Sequence, residues 1–374
     1  MKLRLTALLL AMAMLLSGCA SMLQRSYSSS VEHVEYTVTE DSSTLRAETY
    51  RGLVDAILYF VNEHAEQGVV RLYNYTTDVD ADLDAACQEV MQEDPLGSFA
   101  VESIDCQSAR IVSYYEVTVS LTYSHTAQEV DAIQLVTGTS SIRQKLQQAI
   151  STFSSSLVLR SSYFTGDESA VRAMAVQAYY DTAQSAFGMP DISVAVYPDS
   201  GAQRIIEVTF RWPESQAKLT ERSVDLLVLA RQLLGAAPPA GESYTPQELT
   251  AILQANTSAM DPGGASDPYS ALSGADSNQL AHTLALELLF QLAEIDVTLV
   301  TGMDSLGDTC WLIVDTGAGY RHLLLTAEEP QLYTDLELTA LGYLWNGDLY
   351  PDCVDYDADL SGAQSDAETA EPEG

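Results

Sequence analysis

Apolar and polar residues follow two different periods along the chain. The run from Ile111 to Tyr123 is rich in alternating β-branched and aromatic side chains, which is typical of a strand. Apolar residues at helical spacing predict two long helices, one over 43–65 and one over 128–150 with a break near Gly138. The same patterns predict further strands at 31–39, 69–73, 99–105, 157–163, 192–197, 204–212, 297–301 and 311–314, and further helices at 83–92, 168–187, 215–234 and 278–293.

Strands and helices in this order predict an α+β fold, with small N-terminal α/β units followed by a larger C-terminal domain. We place an N-terminal α+β domain at 31–151, a second small α+β unit at 152–214 and the C-terminal domain at 215–355. Within that domain, residues 235–241 are rich in Gly, Ala and Pro and predict a linker. Thr245-Pro246-Gln247-Glu248 then has the residues of a capped helix start, with proline in the first helical position.

The N-terminus has the pattern of a targeting segment. Lys2 and Arg4 precede about a dozen apolar residues, which are too few for a membrane-spanning helix of roughly 20. The run ends in Leu16-Ser17-Gly18-Cys19 and resembles a bacterial lipoprotein signal peptide with its lipobox. The resemblance implies that 1–18 is the signal peptide, that Cys19 carries lipid, and that 19–30 is a tether. An uncleaved anchor or a plain secretory signal is the alternative, and each of these places the fold outside the cytoplasm.

The charge of the chain restricts its partners. The 53 acidic residues outnumber the 17 basic ones, giving a formal net charge of −36. Such a surface repels nucleic acid and anionic lipid headgroups, so we expect neither as a partner. The expected contact with the lipid bilayer is therefore through Cys19 alone. The small and acidic residues of 356–374 predict a disordered tail.

Four cysteines follow Cys19 and can pair in three ways. They are Cys87, Cys106, Cys310 and Cys353. A location outside the cytoplasm permits disulfides, but the wide spacing is unlike that of a disulfide-stabilised small domain. Buried free thiols and disulfides both stay open at this point.

Segments of the C-terminal domain follow an order found in a known family. They are Tyr269-Ser270-Ala271-Leu272, the apolar helix with its end at Leu288 to Asp296, Val300-Thr301-Gly302, Thr309 to Val314, and Gly319 to Leu325. Over roughly residues 215–355, this order resembles the bacterial transglutaminase-like domain, which is papain-like. The resemblance implies a cysteine nucleophile opening the helix, a histidine on a strand and an aspartate on the following strand.

The chain departs from that family at all three catalytic positions. The nucleophile position contains Gln279, or Ser277 after a small shift, and the histidine position contains Thr309. Leu324 or Leu325 takes the place of the aspartate. Acyl transfer by this route needs a thiolate, an imidazole and an orienting carboxylate, and none of these residues supplies one. The pattern is that of a pseudoenzyme.

Two histidines and one cysteine offer weaker alternatives. Cys310 and His322 lie on successive predicted strands and could form a nucleophile–base pair. However, neighbouring positions of a strand point to opposite faces, so Cys310 should point away from the site at Thr309. His282 near the start of the apolar helix is more simply a hydrogen-bonded helix residue.

An acidic run provides the sharpest metal candidate in the sequence. Asp78, Asp80, Asp82 and Glu89 have the spacing of an EF-hand calcium loop. The glycine that such a loop needs is replaced by Leu83, and the run continues directly into a helix. Acids at a helix start are already stabilised by the helix dipole, so we expect no metal there.

The sequence as a whole predicts a lipid-anchored extracytoplasmic protein that binds or scaffolds without catalysis. We expect a peptide or a cell-wall component as its ligand, and no cofactor. One alternative is a divergent cysteine peptidase or transglutaminase that uses Cys310. Another is a purely structural envelope lipoprotein.

Overall fold

The computed structural model describes residues 43–235, 243–325 and 330–354. The predicted signal peptide, Cys19, the tether, the strand at 31–39, most of the predicted linker and the predicted tail lie outside the described residues. Contacts group the chain into two compact units. Among the described residues, the first contains 43–87 together with Ile104–Leu121, and the second contains Gln88–Ser103 and the described residues from Thr122 onwards. The predicted domain boundaries at 151 and 214 stay predictions.

Within the described ranges the fold is mixed, with three four-stranded sheets and helices packed on them, so the predicted α+β class is confirmed. The strand orders in the three sheets are β1-β2-β4-β3, β5-β6-β8-β7 and β12-β11-β10-β9. The strands are β1 Thr44–Ala47, β2 Gln67–Tyr73, β3 Val101–Ile111, β4 Tyr114–Tyr123, β5 Gln134–Val136, β6 Ser156–Ser161, β7 Asp191–Tyr197, β8 Arg204–Arg211, β9 Val297–Asp304, β10 Gly307–Asp315, β11 Tyr320–Leu324 and β12 Gln331–Tyr333.

The long helices lie close to where the apolar patterns place them, with two exceptions given below. The helices are α1 Tyr50–Asn62, α2 Val79–Gln92, α3 Pro95–Ala100, α4 Ala127–Asp131, α5 Thr139–Ser151, α6 Glu168–Tyr180, α7 Gln216–Leu234, α8 Pro246–Asn256, α9 Pro268–Leu272, α10 Gln279–Leu292 and α11 Asp335–Ala340. Helix α6 ends at Tyr180 rather than at Phe187. The short helices α3, α9 and α11 were not predicted, and α3 covers the start of the strand predicted at 99–105. The capped start predicted for α8 is confirmed, since the Thr245 side chain accepts from Glu248 N while the Glu248 carboxylate accepts from Thr245 N.

The predicted helix over 43–65 is wrong in its first part. Residues Thr44–Ala47 form a strand that pairs in parallel with β2, and helix α1 begins only after Thr49. The Thr49 hydroxyl accepts a hydrogen bond from Gly52 N and so caps the helix at that point. Residues Thr44–Ala47 are extended because they pair with a strand about 25 residues further along the chain. The helical spacing of apolar residues within the segment gives no information about that partner.

The predicted helix over 128–150 is also wrong in its centre. The segment consists of α4, the three-residue strand β5 and α5. Strand β5 pairs in parallel with β6, and its Val136 is buried in the core. A three-residue strand is too short for a periodicity to indicate, so only the break near Gly138 is visible in the sequence.

The C-terminal sheet positions the candidate site. Its strands β9, β10 and β11 are antiparallel neighbours. The apolar helix α10 packs against β9 and β10 on one face, in the main core of the second unit. The other face carries a separate apolar cluster that includes Trp311, Ile313 and Leu338. Because strand residues alternate between the faces, β10 sends Cys310 and Leu312 to one cluster and Trp311 and Ile313 to the other.

Candidate functional site

An open cleft of about 810 Å³ lies at the N-terminal end of α10. Its walls come from helix α6, the loop at Met260 and Pro262, the start of α10 and the ends of β9 and β10. Helix α10 begins here because the Asn278 side chain accepts a hydrogen bond from Ala281 N. The cleft therefore lies where the sequence resemblance puts a catalytic centre.

The floor of the cleft is formed by two of the residues singled out by sequence. Gln279 Nε2 donates to Thr309 Oγ1 and to the Cys310 carbonyl oxygen, each at 3.0 Å. The structure thus brings into direct contact the two residues that the sequence resemblance assigns to the nucleophile and histidine positions. A glutamine amide is not a nucleophile, and a threonine hydroxyl does not act as a base near neutral pH, so the pair offers hydrogen bonds without a general base.

Cys310 lies at the edge of the cleft but is not an activated thiol. Its side chain is only 8% exposed and donates a weak hydrogen bond to Thr283 Oγ1 at 3.6 Å. Burial raises the pKa of the Cys310 thiol to about 11. The thiolate is the reactive form of cysteine, so at pH 7 this thiol is almost wholly in its unreactive form.

The alternative pair of Cys310 and His322 is not brought together. His322 lies opposite Ile313 in the register of β10 and β11, and therefore on the face away from α10. Cys310 belongs to the cluster under α10. The sheet itself separates the thiol from the imidazole.

Leu324, assigned to the aspartate position, is buried in the same outer-face cluster as Trp311 and takes no part in the cleft. A carboxylate that contacts His322 is that of Asp335, at the start of α11, which sequence reasoning missed. The only local signal was the capping box of α11, in which the Thr334 side chain accepts from Glu337 N.

On the outer face, His322 forms a closed network. Trp311 Nε1 donates to His322 Nδ1 at 2.9 Å, and His322 Nε2 lies 2.8 Å from Asp335 Oδ1. Since Nδ1 accepts, the single proton of the neutral ring must be on Nε2 and is donated to Asp335. Burial lowers the pKa of His322, which keeps the ring in this neutral form. The Cys353 backbone N–H donates to the other carboxylate oxygen of Asp335.

Among the described residues, three potential metal ligands also converge at this network. The ligand atoms of His322, Asp335 and Cys353 lie within 4.8 Å of one another. A metal on His322 Nε2 would move the ring proton to Nδ1, where it would face the N–H of Trp311. Two donors cannot share one hydrogen bond, so the network as built disfavours a metal.

The helix α10 carries a buried acid that the sequence analysis did not single out. Glu287 is fully buried, and its Oε2 has no hydrogen-bond partner, while Gln291 donates to Oε1 at 3.3 Å. Desolvation raises the pKa of Glu287 well above its ordinary value. Gln279, Thr283, Glu287 and Gln291 recur every four residues, so the signal was a polar stripe on an otherwise apolar helix.

Two further sequence candidates lie away from the cleft. Ser277 Oγ and His282 Nε2 are hydrogen-bonded at 3.0 Å, and both residues are buried, with neither lining the cleft. His282 is thus a hydrogen-bonded helix residue, as expected. Since neither side chain lines the cleft, the pair is not placed to attack a ligand bound there.

The acidic run does not form a loop. Helix α2 begins at Val79, so Asp80 and Asp82 lie in its first turn. Each of the three aspartates is already engaged: Asp78 accepts from Ala81 N, Asp80 from Ser108, and Asp82 from Tyr75 and Thr77. Glu89 lies in the same helix near its end. The run acts as a helix start.

Within the described part of the chain, no helix combines the length and apolar content needed to cross a membrane. Cys19 lies outside the described residues.

Comparison with known proteins gives little. No family model matches the chain, and no curated protein matches it. Among solved structures, the crystal structure of a TGase is similar with a TM-score of 0.24 and 9% sequence identity, covering 62% of this chain and 72% of that one. A TM-score this low establishes neither a shared fold nor a shared activity.

Proposed function

We propose that this chain is an extracytoplasmic lipoprotein, anchored through Cys19, whose C-terminal part is a transglutaminase-like domain that binds a ligand without catalysis. The observation that carries the proposal is the Gln279–Thr309 hydrogen bond on the floor of an open cleft. The two positions at which the family resemblance requires a nucleophile and a base are filled by residues that bond each other. In this proposal the chain keeps the cleft of the family, while hydrogen-bonding side chains stand in place of the nucleophile and the base.

The lining of the cleft suits an extended peptide. Gln279, Thr309 and Asn278 present amide and hydroxyl groups, which pair with peptide N–H and C=O groups. Met260 and Met303 are partly exposed there and provide adaptable apolar contacts for side chains. Pockets of about 300–1,000 Å³ lined in this mixed way are typical of ligand sites. The acidic chain favours a peptide with basic residues, because opposite charge speeds encounter and strengthens binding.

The two alternatives fit less well. A cysteine peptidase or transglutaminase would need a thiolate at Cys310, whose pKa is raised by burial, and a nearby imidazole. The described residues that line the cleft include no histidine. A purely structural lipoprotein would not need an open cleft at this place.

Binding can be tested on the full-length chain in mild detergent by fluorescence anisotropy. The probes are fluorescein-labelled decapeptides of equal length that differ in Lys and Arg content, with a soluble cell-wall fragment as competitor. We expect saturable binding of basic peptides that leaves them intact by mass spectrometry. Gln279→Lys, which places a positive charge on the cleft floor, should weaken binding at least about tenfold.

The matched control is Gln247→Lys, which makes the same change in the exposed first turn of α8. It should bind as the unmodified chain does. Equal binding by both variants would contradict the cleft as the site, as would cleavage or cross-linking of the peptides. If the cell-wall fragment binds and none of the peptides does, the ligand is a wall component rather than a peptide.

A further inference from the structure

Two cysteines in the first unit lie side by side. Cys87 on helix α2 and Cys106 on strand β3 have their sulfur atoms 3.1 Å apart, and both side chains are partly exposed. The other two described cysteines, Cys310 and Cys353, are buried. The structure therefore distinguishes among the three pairings that the sequence leaves open.

The two elements that carry these thiols are held together by a second contact. Ser108 on β3 donates to the Asp80 carboxylate on α2 at 2.8 Å. The thiols therefore face each other across a helix–strand contact that a side-chain hydrogen bond also joins. Their position along the chain is also special, since the chain leaves the first unit after Cys87 and re-enters it at Ile104.

We propose that Cys87 and Cys106 form a reversible disulfide that closes the chain excursion between them. This inference is independent of the function proposed for the cleft. The oxidant is a low-molecular-weight disulfide of the glutathione type.

The reaction balances as two thiol–disulfide exchanges. The Cys87 thiolate attacks one sulfur of the oxidant, the oxidant's S–S bond breaks, and one thiolate leaves with a proton from the protein. The Cys106 thiolate then attacks Cys87 Sγ, displacing the second small thiol. Two protein thiols are oxidised to one disulfide, and the oxidant is reduced to two thiols.

The local electrostatics assign the order of attack. The hydrogen bond between the two thiols lowers the pKa of Cys87 and raises the pKa of Cys106. Cys87 is thus the thiol that reacts first, because thiolate fraction controls nucleophilic attack. The carboxylates of Asp84 and Asp105 oppose ionisation of both thiols and slow the reaction.

The test uses the full-length chain in detergent, equilibrated in buffers of increasing ratio of oxidised to reduced glutathione and then alkylated. Peptide mass spectrometry should show Cys87 and Cys106 losing their alkylation together and appearing in one linked peptide. The oxidised form should melt about 5 °C above the reduced form, since the bond constrains the unfolded chain. In the Cys106→Ser variant, the reaction should stop at a glutathione adduct on Cys87.

The double variant Cys87→Ser/Cys106→Ser is the matched control, and its melting temperature should not depend on the redox buffer. Two results would overturn the proposal. One is full alkylation of both cysteines in the most oxidising buffer, and the other is a stable glutathione adduct on Cys87 in the unmodified chain. Linkage of either cysteine to Cys310 or Cys353 would also overturn it.

Discussion

The two faces of the C-terminal sheet hold different reactive side chains in opposite settings. On the face under α10, Cys310 lies at the edge of an open cleft, and its thiol donates to the Thr283 hydroxyl. On the outer face, His322 bonds to the carboxylate of Asp335, but the ring is fully buried. On the first face the thiol borders the cleft but has no base beside it. On the second face the imidazole, which is a base, is closed off from solvent.

The difference shows how strand alternation alone can separate catalytic groups. A nucleophile, a base and an orienting carboxylate act only where they meet within hydrogen-bond reach of a ligand. Trp311 and Cys310 are neighbours in sequence, yet they belong to different apolar clusters. The thiol of Cys310 and the imidazole of His322 are thus kept on opposite faces, and the cleft is lined by the hydrogen-bonding groups of Gln279 and Thr309.

The largest expected effect comes from a substitution in the apolar cluster on the outer face. Trp311 is 1% exposed, contacts Tyr343 and Trp345 edge-to-face, and donates to His322. Trp311→Ala leaves a large cavity and an unpaired buried Nδ1, so the free energy of unfolding should fall by about 3–5 kcal/mol in urea titrations.

Trp345→Ala is the matched control on the same face, since Trp345 is only half-buried. Its loss of stability should be clearly smaller than that of Trp311→Ala. Equal losses in the two variants would show that the hydrogen bond to His322 and full burial add nothing.

The next effect concerns Glu287, the buried acid on α10. Because the pKa of Glu287 is raised in the folded state, folding favours its protonated form, and its contribution is complete below its ordinary value of 4.5. That contribution is lost as pH rises through the folded pKa. Glu287→Gln should therefore raise the free energy of unfolding by about 1–3 kcal/mol at pH 8 and leave it nearly unchanged at pH 4.5. Urea titrations at both pH values measure this, and a loss of stability at pH 8 would contradict it.

The smallest effect has the opposite pH dependence and belongs to the outer face. The pKa of His322 is lowered in the folded state, so its contribution is complete above the ordinary value of 6.5 and is lost as pH falls through the folded pKa. Protonation would also break the hydrogen bond from Trp311. As the pH falls from 7 to 5, protonation linked to His322 should lower the free energy of unfolding by about 1 kcal/mol.

His322→Gln keeps one acceptor and one donor but does not titrate. In urea titrations, the variant should lose less stability than the unmodified chain between pH 7 and pH 5. An unchanged acid dependence would place the titrating group elsewhere.

Elements with long, regular patterns could be read from the sequence, and elements made by distant pairing could not. The alternation in Tyr114–Tyr123 and the apolar spacing in Gln279–Leu292 are local properties, and both elements lie where predicted. Strands β1 and β5 are short and depend on parallel partners elsewhere in the chain. Local patterning contains no information about such partners, so both were assigned to helices.

The candidate site was predictable only in part, for the same reason. Motif order and helix position were enough to select Gln279 and Thr309, which the fold brings into contact. The partner of His322 is Asp335, which lies on a different element. In the sequence, Asp335 indicates only the acidic start of a helix. Which histidine nitrogen is protonated follows only from the position of Trp311.

The central claim, that the cleft binds without a nucleophile, is tested most directly by the pH dependence of Cys310 alkylation. The full-length chain is treated with iodoacetamide between pH 6 and pH 9, and modification of Cys310 is followed by peptide mass spectrometry. With a pKa of about 11, the rate should rise about tenfold for each pH unit and show no plateau in this range. A rapid reaction with a plateau below pH 8 would mean that Cys310 is an activated thiolate, and would contradict the account.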